Sequence, residues 1–256
     1  MGLLQKLLTS KPVERTKRKL AITTGIYMRI KKLGASASDD FRTVKILQTY
    51  GFDKVIDIGA NTGQFAESLI DFGFRGEIIS FEPTSVAYKM LEKRAGKYTN
   101  WNIAERCAIG NFNGNIDINV SHNSLFSSIK NITDEYASYN EGSKSKTIEN
   151  VKIFTFDSLA STYIKKGEKV FLKIDTQGFE QEVLEGAQEA LNSVNGVKIE
   201  IPLVPIYKEV KMGASDLLTY FEKRGFRCVS LQPVAVNNQT GVVHEIDGIF
   251  VKTGEV

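Results

Sequence analysis

VIDIGANTGQF (Val55–Phe65), followed by SFEP (Ser80–Pro83), is the stretch that decides how this chain folds. The first piece reads as a buried strand that runs into a glycine turn and then a helix. The second reads as a neighbouring strand that ends in an acid. Gly59 and Gly63 are expected to let the backbone approach a ligand where a side chain would block it. Glu82 lies 19 positions after Gly63, where a parallel neighbouring strand places a carboxylate on a ribose diol. The pattern implies an adenosine-containing ligand. Its spacing is G-x-x-x-G rather than G-x-G-x-x-G, which disfavours a dinucleotide and favours S-adenosylmethionine (SAM).

Outward from this core the pattern alternates. Strands are expected at 55–58, 77–81, 102–109 and 169–175, with helices at 63–72, 85–95 and 179–194 between and after them. Strands separated by helices of about ten residues indicate parallel βαβ units. Strand 197–204, helix 214–224 and strands 226–232 and 248–252 close the pattern. The last two strands are expected to form an antiparallel hairpin around Gln239–Gly241. The prediction is a seven-stranded, mostly parallel α/β sheet with a reversed final strand. Residues 111–156 interrupt it as an inserted segment: a half-exposed strand at 115–120, a polar loop over 131–150, and a short strand at 152–156 with Asp157 capping the next helix. The domain is expected over 51–256. Residues 1–50 form a basic helical extension whose last part, helix 39–50, caps the sheet.

Composition narrows the function classes. The chain has 256 residues, 42% hydrophobic and 25% charged, which suits one large soluble α/β domain. Two cysteines, Cys107 and Cys228, exclude a disulfide framework and point to a reducing, cytoplasmic setting. No apolar run reaches the ~18–20 residues that span a bilayer, and neither a secretory leader nor a myristoylation motif is read at the start. Residues 1–32 carry nine Lys/Arg against Glu14, a net of +8, which leaves the remainder at −5. This basic stretch is either a solvated helix or a contact for an anionic membrane surface or an assembly complex. An acidic main domain excludes a nucleic-acid module.

By the strand-end rule, ligands sit beyond the carboxyl ends of the strands. This gathers Asp57–Gly63, Glu82, Arg106–Ile109 and Asp175–Gly178 around one crevice. Asp57 either braces the glycine loop or accepts from the cofactor's amino group. Asn61 either adopts a left-handed conformation or hydrogen-bonds the methionine portion. Ala60, Phe81 and Pro83 line the loop and the strand end beside Glu82. Backbone groups at Cys107 and Ala108 are the candidates for reading adenine, and Cys107 otherwise reads as a plain buried thiol. Lys173 and Asp175 bracket Ile174 at period two, so both face one side of a strand near its end. Buried strands rarely carry charges without pairing or purpose. Gln177 and Glu180 follow at the helix start, where Glu180 either completes a capping box or meets the substrate.

Together VIDIGANTGQF, SFEP, AIG (108–110), TFDSL (155–159), FLKIDTQGFEQEVLEGA (171–187) and DGIFVK (247–252) resemble the FkbM family of SAM-dependent methyltransferases. The resemblance covers about residues 50–252. It implies a class I methyltransferase, Rossmann-like fold and O-methylation of hydroxyls on sugars, glycans or related natural products. Many members carry Glu where Gln177 stands. If a carboxylate there helps catalysis or binds a metal, this chain lacks it, which lowers the case for metal dependence, and no metal ligand is read in the sequence.

Methyl transfer requires alignment of oxygen, methyl and sulfur, and removal of a proton from a weakly acidic hydroxyl. Asp175 is the candidate base or orienting acceptor, with Lys173 supporting its charge. His122 in the insertion is a competing base or a solvated loop residue. Ser124, Ser127 and Ser128 are candidates for binding sugar hydroxyls, beside Gln177 and Glu180. The alternative reading is a scaffold protein of a glycan-assembly complex that binds the cofactor without turnover.

Overall fold

Strand β1 (Lys54–Ile58) is buried along its whole length. Parallel strands covered on both faces read as such continuous apolar runs. It sits between β2 (Glu77–Phe81) and β7 (Val170–Ile174), both parallel, with Ile56 level with Ile79 on one side and Leu172 on the other. A computed structural model describes residues 38–121, 145–204, 212–237 and 239–254. The chain divides into two compact units, residues 1–43 and 44–256. Of the first, only residues 38–43 are described, and they include the opening of helix α1 (Asp39–Tyr50). Among the described residues no helix is long and apolar enough to cross a membrane.

The main sheet of the second unit has the order β3-β2-β1-β7-β8-β10-β9. It adds β3 (Trp101–Ile103), β8 (Gly196–Pro202), β9 (Phe226–Val236) and β10 (Val243–Lys252). β10 runs antiparallel to both β8 and β9, while the β1–β2, β1–β7, β2–β3 and β7–β8 pairs are parallel. The expected reversed final strand and antiparallel hairpin are therefore present. Alternation along the strands feeds two cores. Ile56, Ile79, Leu172, Ile199 and Phe250 pack with Phe156, Val183 and Phe221 of helices α4 (Phe156–Tyr163), α5 (Glu180–Glu185) and α6 (Ala214–Lys223). Val55, Ile78 and Phe171 face the other way, onto Val44, Leu47, Ala66 and Leu91. Those last two residues belong to α2 (Gln64–Asp71) and α3 (Ser85–Ala95).

Two strands of the insertion join a third that precedes it in a second sheet, ordered β4-β6-β5. Its strands are β4 (Ala108–Gly110), β5 (Gly114–Ser121) and β6 (Ser145–Thr155). Three expectations are corrected here. The strand expected over 102–109 is two strands in two sheets. The Ala104 amide makes the last bond to the Ser80 carbonyl, and Arg106 then turns outward, donating to the Pro83 carbonyl at 2.9 Å and to Glu149 at 3.2 Å. Residues 145–150, expected as loop, pair with β5 as strand; within the pair Asn150 donates to Asp117 at 2.7 Å. Thr155, not Asp157, caps α4, accepting from the Ser158 amide.

Asp157 instead accepts from the Ala190 amide at 2.7 Å and so restarts the chain after a break. The helix expected over 179–194 is α5, a turn, and a short 3-10 segment (Ala190–Ser193). Gly186 lies at the break. A Cβ there would stand 1.8 Å from the Gly110 carbonyl oxygen of β4, so the end of α5 meets the second sheet at a position that tolerates no side chain. Gly186→Ala should lower the unfolding free energy by about 3 kcal/mol, since overpacking against rigid backbone has that order of cost. Urea denaturation of the variant against wild type measures it.

Candidate active site

The carboxyl ends of β1, β2 and β7 meet at the turn from Gly59 to Gly63. Gly59, Asn61 and Gly63 have φ of +79°, +50° and +90°, so Asn61 adopts the left-handed conformation expected of it. The two glycines are demanded by packing. A Cβ on Gly59 would lie 1.8 Å from the Asp175 carbonyl oxygen, and one on Gly63 would strike the Trp101 ring at 2.5 Å and Leu91 at 2.8 Å. Neighbouring parts of the chain therefore require both glycines in their own right, and Gly59 also lines the cleft beside them.

Glu82, 5% exposed, closes the turn. One carboxylate oxygen accepts from the Asn61 amide at 2.8 Å; the other accepts from the Thr84 amide at 2.9 Å and the Thr84 hydroxyl at 2.5 Å. Burial pushes its carboxyl up, against the pull of these donors. A narrow cleft of about 60 Å³ opens beside it. The cleft gathers Gly59, Asn61, Phe81, Glu82, Pro83, Cys107, Ala108, Asp175 and Gln177, all predicted site residues. Ile58 and Ile109, both within the expected crevice, form an apolar wall with Ile118 and Phe179, which were not expected there. Burial pushes the Cys107 thiol up to about 12, so this cysteine is a packing group rather than a nucleophile.

A second bay, lined by more charged residues, adjoins the cleft. It shares Gly59, Asn61, Asp175 and Gln177 with it, and adds Ala60, Phe65, Lys173, Glu200 and Glu245. Lys173, 5% exposed, is held by Asp57 at 2.9 Å and Asp175 at 3.2 Å. It also donates to the Gly59 carbonyl at 3.3 Å. Burial opposes its charge, but the two carboxylates outweigh burial and hold the ammonium above its ordinary range. Burial raises the Asp57 carboxyl while Lys173 lowers it, and its second oxygen is buried without a partner. Asp175 is held below the ordinary carboxylate range: burial works against this, and Lys173 and the Gln177 amide prevail. Gln177, at φ +55°, donates through one nitrogen to both Asp175 and Glu200, each at 2.9 Å.

Glu180 accepts from the Thr176 amide at 2.8 Å, the Thr176 hydroxyl at 3.1 Å and the Gly178 amide at 3.2 Å. Its carboxyl, raised by burial to about 7, thus braces the turn, as a capping arrangement does. His122, Ser124, Ser127 and Ser128 lie outside the described residues. Glu200, Glu245, Lys198 and Asp247 were missed. The signal was present: Lys198-Ile-Glu200 repeats Lys173-Ile-Asp175, and the two triplets lie in register on β7 and β8. Among the described residues, no group of three or more His, Cys, Asp or Glu is placed to hold a metal ion.

Residues 57–228, more than half of the chain, match the family described as the methyltransferase FkbM domain. The chain belongs to the FkbM methyltransferase family. Among solved structures it is similar to magnesium protoporphyrin IX methyltransferase from Synechocystis PCC 6803 with bound SAM, at 10% identity and TM-score 0.46, over 98% of this chain and 96% of that one. It is also similar to TehB from Haemophilus influenzae, at 9% identity and TM-score 0.45 over 93% and 67% of the two chains. An rRNA methylase from Streptococcus thermophilus matches at 12% identity and TM-score 0.44, over 82% and 94%. No curated protein matches the sequence.

In this FkbM methyltransferase the ion pair of Lys173 and Asp57 joins β7 to β1 directly beneath the site. Lys173→Met should cost about 3–5 kcal/mol, because breaking a buried pair strands the remaining charge. The double variant Asp57→Asn/Lys173→Met should recover a large part of that loss. Denaturation midpoints of the three proteins check both statements.

Proposed function

We propose that the chain transfers a methyl group from SAM to a hydroxyl of a sugar, a glycan or a related natural product. One observation carries the reading: Asp175 borders both the cleft beside Glu82 and the bay of Lys173 and Glu200. A donor in the first and an acceptor in the second would meet at its carboxylate. The cleft suits SAM, because it combines a carboxylate at one rim for a ribose diol with an apolar wall for a purine ring. Bound there, SAM supplies an electrophilic methyl carbon next to a positive sulfur.

The chain's own residues supply position and charge. Glu82 orients the ribose through whatever hydrogen-bonding capacity Asn61 and Thr84 leave on its oxygens. Asp175 accepts a hydrogen bond from the acceptor hydroxyl and turns the oxygen lone pair toward the cleft. Lys173 fixes the carboxylate and keeps it ionised at neutral pH. Effective alignment of this kind removes several kcal/mol of barrier, of order 7–11 where it is complete. The bay's carboxylates, with Lys173 and Gln177, offer many hydrogen-bonding partners in a small space, which matches a polyhydroxyl acceptor. In the same reading the reaction is cytoplasmic, no nucleic acid takes part, and the basic residues 1–32 contact an anionic surface or an assembly complex.

Calorimetric titration should show SAM binding and no NAD binding. Glu82→Gln should weaken SAM about tenfold, the order expected for one lost charge-assisted hydrogen bond. Asp175→Asn should still bind SAM and should lower turnover ~100-fold or more, the scale of one general base. Turnover is read as S-adenosylhomocysteine released while glycan acceptors are screened for the mass of an added methyl group. Wild-type turnover in Asp175→Asn would remove this residue from the chemistry.

A further inference from the structure

The bay holds more acids than its lysines neutralise, and they are ordered by strand register. Asp57 on β1 is level with Lys173 on β7, which is level with Lys198 on β8. One pleat further out stand Asp175, Glu200 and, opposite Glu200, Asp247 on β10. Lys198 is taken by Asp247, and Lys173 by Asp57 and Asp175. Both lysines lie over the Phe65 ring, at 5.3 and 5.2 Å. Glu200 makes no ion pair with either lysine among the described contacts; its partner is the Gln177 amide, which it shares with Asp175.

One amide nitrogen bridging two carboxyl groups brings them close. Two carboxylates so placed cannot both stay ionised at little cost, and such pairs hold one proton between them. We propose that Asp175, Gln177 and Glu200 form a proton-sharing carboxyl pair that gives up its proton when the positively charged methyl donor binds beside it. The inference rests on the reading of the cleft as a SAM site. The surroundings set the direction. Asp175 is held ionised, while burial and the charges of Asp175, Glu245, Glu180 and Asp247 push Glu200 well up. Glu245, facing it from β10, is itself raised to about 8 by burial and by Glu180 and Asp175. The nearby cations, Lys173 and Lys198, are already paired. A sulfonium in the cleft adds one unpaired positive charge next to Asp175, which lowers the proton affinity of the pair.

The consequence for the reaction balances. Donor binding leaves two carboxylates and sends one proton to solvent. The acceptor oxygen then bonds to the methyl carbon, and the bond from that carbon to sulfur breaks with its electron pair left on sulfur. The hydroxyl proton passes to the pair, which regains its shared proton as the positive charge on sulfur disappears. The binding of the donor thereby prepares the base it needs, and the pair is refilled by the reaction itself.

Calorimetric titration of the full chain near neutral pH, repeated in two buffers of different ionisation enthalpy, counts protons exchanged on binding. SAM should release about half to one proton per molecule bound, whereas S-adenosylhomocysteine, which lacks the sulfonium charge, should release almost none. The release should shrink at acid pH, where the pair stays protonated, and at alkaline pH, where the proton is already lost. Glu200→Gln should bind both ligands and lose the difference between them. Equal proton counts for the two ligands in wild type, or an undiminished difference in Glu200→Gln, overturns the pair. The wild-type comparison stands even where the variant does not fold. Binding of neither ligand would instead overturn the SAM reading, and the pair's role with it.

Discussion

The buried ammonium of Lys173 is the contact on which the site depends. A charge removed from water costs several kcal/mol unless partners replace the solvent. Here Asp57 from β1, Asp175 from the end of β7 and the Gly59 carbonyl replace it. Each partner belongs to a different part of the site, so one cation fixes a strand, a turn and a cleft-lining carboxylate at once. The Asp175 amide donates to the Ile58 carbonyl at 3.1 Å, which carries the β1–β7 ladder one step past the strands. The turn at Gly59 then has no room for a side chain, because the Asp175 carbonyl occupies it. The glycine motif and the charged strand are therefore one construction, although they stand more than a hundred positions apart.

That connection explains which parts of the fold were legible in the sequence. Strands buried on both faces announce themselves as apolar runs, and helix ends at Gly73 and Gly96 mark the intervals, so β1, β2, β7 and α3 were readable within a residue or two. The reversed β10 was readable because a turn signal at Gln239–Gly241 joined two apolar stretches. Features set by distant partners were not. Nothing local to residues 179–194 shows that Gly186 must meet the Gly110 carbonyl and break the helix. The polar run 145–150 reads as loop until β5 is laid beside it.

The candidate site was legible in the same uneven way. Asp57, Glu82, Lys173 and Asp175 stood out because each is a charge at the end of an apolar strand. Their partners were less visible. Glu82 was expected to face a ribose, yet the oxygens that would do so already fasten Asn61 and Thr84. A clamp for a ligand is also a clamp for the turn, and sequence separation cannot divide the two tasks. Glu200 escaped because Pro202 drew the reading of β8 toward its exit from the ladder. The repeated Lys-Ile-acid triplet becomes meaningful only once β7 and β8 are known to be adjacent and in register.

Register also gives the site a direction. The lysines of β7 and β8 stand one pleat inside the acids that follow them, and Asp57 beside Lys173 and Phe65 beneath both lysines complete that inner row. Toward the carboxyl ends the balance reverses, with Asp175, Glu200, Asp247 and then Glu245. Fields are strong where water is partly excluded. A cation is thus drawn to the outer row and opposed by the inner one, which keeps it at the mouth, where the cleft and the bay join. The same gradient lets the outer carboxyls share protons while the inner ion pair stays intact. Structural charge and working charge are separated by two residues, one pleat, along each strand.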